Sequence, residues 1–130
     1  MQARTNGLEQ ARQLERDSRL GTERITPELI TYIVEKIVRA LDPKRIILFG
    51  SYARSEATAA SDLDFFIIQD SEQSNRVVRR QIEALLWGRR FGVDLIVRKP
   101  EEVARNLADG NPFYSQHLLR EGKVLYERPG

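Results

Sequence analysis

A chain of 130 residues fits one domain and leaves little room for a second. Its 21 basic and 19 acidic residues nearly cancel to a formal net charge of +2, which argues against a dense polyanion-binding surface, while 41% hydrophobic residues suffice for a modest core. The lack of cysteine excludes disulfides and cysteine-ligated zinc, and a single histidine, His117, excludes histidine-rich metal sites and argues against a Ser-His-Asp triad.

Residues 1–25 are rich in Arg, Gln and Glu. Their sparse anchors Leu8, Leu14 and Leu20 make no helical stripe. This stretch reads as an N-terminal arm, a frayed helix or partly disordered, ahead of a domain over 26–130. It lacks the apolar core of a signal peptide, and nowhere does the sequence offer the ~18 consecutive apolar residues that span a bilayer. A cytoplasmic protein without membrane contact is expected.

Thr26-Pro27-Glu28 is a helix start, with Thr as N-cap and Pro in the first turn. Leu29, Ile30, Ile33, Val34, Ile37, Val38 and Leu41 follow at helical spacing, and Asp42-Pro43 ends the run. Ile46–Phe49 is apolar on both faces, which predicts a strand at 45–49 buried on both sides. A second strand is expected at 62–68 (DLDFFII) and a third at 93–97 (VDLIV). Between them a helix is expected over 73–87, with Val77, Val78, Ile82, Leu85 and Leu86 facing inward and Gly88 and Gly92 bracketing its exit. Pro100 opens a short helix, Asn111-Pro112 opens another through about Glu121, and Val124–Tyr126 forms a last short strand. The pattern is that of a compact α/β domain without repeats.

The chemistry centres on the second strand. Asp62 and Asp64 are two apart and share a face of an extended strand. Two like charges ~7 Å apart repel by about 2 kcal/mol at an effective dielectric near 20. A divalent cation turns that repulsion into attraction, and hard carboxylate oxygens suit Mg²⁺. An isolated S-D-x-D is more often only a turn entering a strand. Two further features bear on the choice. Gly50-Ser51 directly follows the buried strand, and a small-residue turn there exposes backbone N–H groups that can hold phosphate. Asp94 is a lone acid in an apolar strand, and because an unpaired buried carboxylate is costly, such an acid sits at an exposed strand end or binds something. If its strand lies beside DLDFFII, Asp94 completes a three-carboxylate cluster of the sort used in two-metal phosphoryl or nucleotidyl transfer.

The run FGSYARSEATAASDLDFFII resembles the G-S-x₁₀-D-x-D signature of the DNA polymerase β-like nucleotidyltransferases, with Asp94 in GVDLIV matching the third acid. The likeness is greatest to the minimal nucleotidyltransferase (MNT) group and covers about residues 26–127. It implies a small mixed β-sheet flanked by helices (α/β, α+β), ATP or another NTP as donor, and Mg²⁺, two ions in number. Carried over to this sequence, Gly50 and Ser51 match the triphosphate-binding turn, and Arg54, in the S-x-A-R segment, is a further nucleotide-binding candidate. Asp62 and Asp64 match metal ligands, and Asp94 matches the acid that activates the acceptor hydroxyl. One departure stands out: Ser55 replaces the glycine common in A-R-G, and a positive φ there costs a serine about 1 kcal/mol or more.

The resemblance also implies a role. Free-standing members of the group act as antitoxins of HEPN-type toxins, by adenylylating a tyrosine of the toxin or by binding it. The expected function is thus AMP transfer from ATP to a hydroxyl of a partner toxin. The alternatives are an antitoxin that acts by binding alone and, less favoured, an antibiotic nucleotidyltransferase. A nucleic-acid acceptor is not favoured, and a homo-oligomer is left open. Elsewhere, His117 reads as an ordinary helix residue, Trp87 and Phe91 as closing the core around a turn, and Arg76, Arg79, Arg80, Arg89 and Arg90 as a solvated helix face, with contact to a nucleic acid or an acidic protein surface as the alternative.

Overall fold

The computed structural model describes residues 17–130. Thr26 caps helix α1 (Pro27–Leu41), its hydroxyl accepting from the Leu29 N–H at 3.1 Å. Asp42 ends that helix in the left-handed region, φ 43°. Strands β1 (Arg45–Phe49) and β2 (Leu63–Ile68) follow, then helix α2 (Asn75–Leu85), strand β3 (Val93–Arg98) and helix α3 (Pro100–Ala108). A helical segment of π pitch, α4 (Phe113–Arg120), and strand β4 (Lys123–Glu127) complete the chain. No helix among the described residues is long and apolar enough to cross a membrane.

The four strands form one mixed sheet in the order β3-β2-β1-β4. β1 is antiparallel to both β2 and β4, and β2 is parallel to β3. One face, carrying Ile46, Leu48, Leu63, Phe65, Ile67, Leu95 and Val97, packs on α1 and α2 through Ile33, Ile37, Val78 and Ile82. The other, carrying Ile47, Phe49, Phe66 and Ile68, packs on Tyr114 and Leu118 of α4, with Phe113, Val103 and Leu107 alongside. With both faces covered, β1 and β2 can be continuously apolar rather than alternating. Phe65 and Phe66, adjacent on β2, are both wholly buried, one in each layer. This is the mixed sheet between helices that the resemblance implied.

The differences are local. Ser74 caps α2, accepting from the Val77 N–H at 3.2 Å, so the helix starts at Asn75, not Gln73, and stops at Leu85. Val77 is exposed, because Val78 and Ile82 set the inward direction and a neighbouring position lies about 100° round the helix. Trp87 is 53% exposed and does not close the core: it falls in the turn after α2, where Leu86 and Phe91 are the buried residues. Of the expected N-terminal arm, residues 1–16 lie outside the described residues. Leu20, by contrast, is fully buried in the core, and Asp17 accepts from the Tyr32 hydroxyl at 2.7 Å and pairs with Lys36.

Candidate active site

Strand pairing brings two of the three acids, Asp64 and Asp94, side by side. The antiparallel register sets Phe49 opposite Asp64, and the parallel register sets Asp64 beside Asp94. Directly paired residues project from the same face of a sheet. Asp64 and Asp94 therefore share the face that carries Phe66, at the edge of the layer formed by α4. Asp62, exposed, stands one residue ahead of β2.

Two glycines make room for two of these carboxylates. Gly50 has φ +76°, and a Cβ built on it would lie 2.1 Å from Asp64 Oδ2. A Cβ on Gly92 would lie 1.9 Å from Asp62 Oδ1. Any larger residue at either position must displace the acid. The role of Gly92 was not legible in the sequence, where it read only as a helix-exit glycine. Its one signal was its place immediately ahead of the acid-bearing strand.

The chain after β1 curls into a tight turn: the Ala53 and Arg54 N–H groups donate to the Gly50 carbonyl at 3.1 and 3.2 Å, and Glu56 N–H to the Ser51 carbonyl at 2.9 Å. Among the described residues, no acceptor meets the N–H groups of Ser51 and Tyr52, so they can bind an anion. Ser55 closes the turn at φ +58°, the strained geometry that its substitution for glycine foreshadowed. Arg54 is exposed, and its Nε donates to Glu56 at 2.7 Å. Its positive charge also acts on Asp64, and the negative charge of Glu121 in turn favours the charged form of Arg54. Glu121 also pairs with the exposed His117, Nδ1 to Oε1 2.8 Å.

Asp64 carries the electrostatic signature of the site. Burial first, then the charges of Asp94 and Asp62, raise its carboxyl from 3.8 to about 6, against the opposing pull of Arg54. A group so placed gains from a cation. As the side chains stand, no three acidic or histidine groups among the described residues converge on one ion position. The fit to a divalent metal thus rests on the donor set: three carboxylates, hard oxygen ligands, with like charges crowding one of them. Mg²⁺ suits that set.

The family model described as "Nucleotidyltransferase domain" matches residues 31–122. A candidate protein adenylyltransferase of Methanocaldococcus jannaschii, MJ0604, is 36% identical over 85 residues, covering 64% of this chain and 78% of that protein. The protein adenylyltransferase MntA of Aphanizomenon flos-aquae is 30% identical over 88 residues, 67% of this chain, which spans only 59% of that relative's length. Among solved structures, a candidate nucleotidyltransferase from Sulfolobus solfataricus superposes with a TM-score of 0.53 at 21% identity, covering 92% of this chain and 84% of that one, a likeness of fold.

Proposed function

The chain belongs to the nucleotidyltransferase domain family, and on that premise we propose that it transfers AMP from ATP to a hydroxyl group of a partner protein. The observation that carries this reading is Asp64, crowded by Asp62 and Asp94 and laid over the Gly50-Ser51 turn. In this reading the Ser51 and Tyr52 N–H groups and the Ser51 hydroxyl hold the triphosphate, and Arg54 swings from Glu56 to a phosphate oxygen. Two Mg²⁺ ions, held by Asp62, Asp64 and Asp94, would neutralise the carboxylates and the triphosphate charge. Asp94, exposed on its strand, takes the proton of the acceptor hydroxyl. The hydroxyl oxygen bonds to the α-phosphorus, the bond from that phosphorus to the bridging oxygen breaks, and pyrophosphate leaves.

The names of the two protein adenylyltransferase relatives and the resemblance to the MNT group support a protein acceptor. Within that class we place a HEPN-type toxin as the partner, antitoxin as the role and the cytoplasm as the location. The test incubates the protein with labelled ATP, Mg²⁺ and a HEPN-type protein encoded beside it. Label on the partner, lost in Asp62→Ala/Asp64→Ala, is expected. No label, with an unchanged complex in the double variant, would leave binding alone as the function.

A further inference from the structure

Among the described residues β3 is an edge strand, with no partner on its outer side. The Gly92 and Arg98 carbonyls accept from the Leu63 and Gln69 N–H groups at 2.9 and 3.0 Å, so they point inward. Alternation along a strand then turns the backbone groups of Val93, Leu95 and Val97 outward. A groove of about 440 Å³ follows this edge, bounded by β3 from Asp94 to Arg98 and by Arg76 and Arg79 on α2. Residues of both faces of β3 line it, so it exposes the strand's rim rather than one face.

The charges of the groove are uneven: three arginines against Asp94. Arg76 has no ion-pair partner among the described residues. Arg79 meets Glu83 at 3.1 Å in an exposed pair of the kind that contributes little. Arg98 folds over the rim and donates to the Val97 carbonyl at 2.7 Å, which leaves the backbone of Val93 and Leu95, the residues flanking Asp94, open.

We propose that this rim is the acceptor's docking site: an extended, acidic segment of a partner protein adds to β3 as a further strand and brings its hydroxyl to Asp94. Main-chain hydrogen bonds to Val93 and Leu95 supply the register, and carboxylates of the segment meet Arg76 and Arg79. At ~3.3 Å per strand residue, the span from Asp94 to Arg98 puts the acidic side chains within about four residues of the hydroxyl-bearing one. The delivery of a hydroxyl rests on the transferase reading above. The docking of the acidic strand does not.

The test uses three synthetic nine-residue peptides with a central tyrosine. One is flanked by glutamates, one by lysines, and one is the glutamate peptide with alternate backbone nitrogens methylated. Binding is read by fluorescence anisotropy and, separately, transfer of label from ATP with Mg²⁺. The glutamate peptide is expected to bind at least ~10-fold tighter than the other two, to lose at least ~10-fold in Arg76→Glu/Arg79→Glu, and to keep its affinity in the control Arg105→Glu. On binding, the Leu95 amide gains protection from hydrogen exchange. Equal affinity for all three peptides, no binding of the glutamate peptide below about 1 mM, or affinity unchanged in the double variant overturns the proposal. Transfer without discrimination among peptides removes the docking site and leaves the transferase. Discriminating, arginine-dependent binding without transfer does the reverse.

Discussion

Replacing Asp64 by asparagine removes a negative charge from a place where the fold penalises one. Burial and the two neighbouring aspartates raise this carboxyl from 3.8 to about 6. Two pKa units correspond to about 3 kcal/mol. Asp64 is only half-buried, and solvent screening reduces the figure to about 1–2 kcal/mol. The sign follows from proton linkage. Because the folded pKa is raised, the folded state binds the extra proton between pH ~4 and ~6, so the wild type loses stability as pH rises through that window. Above pH ~6 the penalty is complete, and below pH ~4 it vanishes. Asp64→Asn is therefore expected to be more stable than the wild type by about 1–2 kcal/mol at pH 8 without metal, a rise in Tm of about 4–8 °C, with the two melting curves converging below pH 4. Thermal melts followed by circular dichroism across pH 3.5–8 measure it. An asparagine variant less stable than the wild type at pH 8, or a difference independent of pH, would refute the idea that Asp62 and Asp94 crowd this carboxylate. Added Mg²⁺ should raise the Tm of the wild type and leave that of the variant nearly unmoved.

The glycines give two sharper contrasts. Gly92→Ala, whose Cβ would meet Asp62 Oδ1 at 1.9 Å, should swing the exposed Asp62 aside and cut transfer at least ~10-fold, with under ~1 kcal/mol lost in urea unfolding. Gly50→Ala meets Asp64 at 2.1 Å and also holds φ +76°, so it should abolish transfer and cost about 2 kcal/mol or more in the same assay. Ser55→Gly, at φ +58°, should be stabilised by up to ~1 kcal/mol, the strain relieved exceeding the added chain entropy. Thr26→Ala removes the cap of α1 and should cost about 1 kcal/mol of stability with transfer unchanged.

Much of this architecture was legible because each element announces itself locally. The consecutive apolar residues Ile46–Phe49 demanded a strand buried on both faces, and Thr26-Pro27 and Asp42-Pro43 delimited α1 to the residue. Asp62, Asp64 and Asp94 were identifiable as a group through their order and spacing. What the sequence withheld depends on three-dimensional neighbours. No periodicity reveals that β2 and β3 run parallel with Asp64 beside Asp94, because pairing is decided by the whole sheet. The π pitch of α4 has no local cue: its residues read as an ordinary helix after Asn111, whose side chain accepts from the Phe113 N–H at 3.0 Å. Val77 and Trp87 are exposed against expectation because apolar character alone does not set a helix's inward direction, and the helix ends two residues before Trp87. Gly92 needed the fold, since the carboxylate it accommodates is 30 residues away.

The most direct measurement pairs ATP labelled at the α-phosphate with ATP labelled at the γ-phosphate, each incubated with Mg²⁺, the proposed partner protein and either wild type or Asp64→Asn. Because the variant is expected to be the more stable protein, its loss of activity cannot be assigned to unfolding. The result expected is label on the partner from α-labelled ATP only, with the wild type only, and pyrophosphate released in equal amount. Label arriving from γ-labelled ATP, or undiminished labelling by Asp64→Asn, would contradict nucleotidyl transfer at this site.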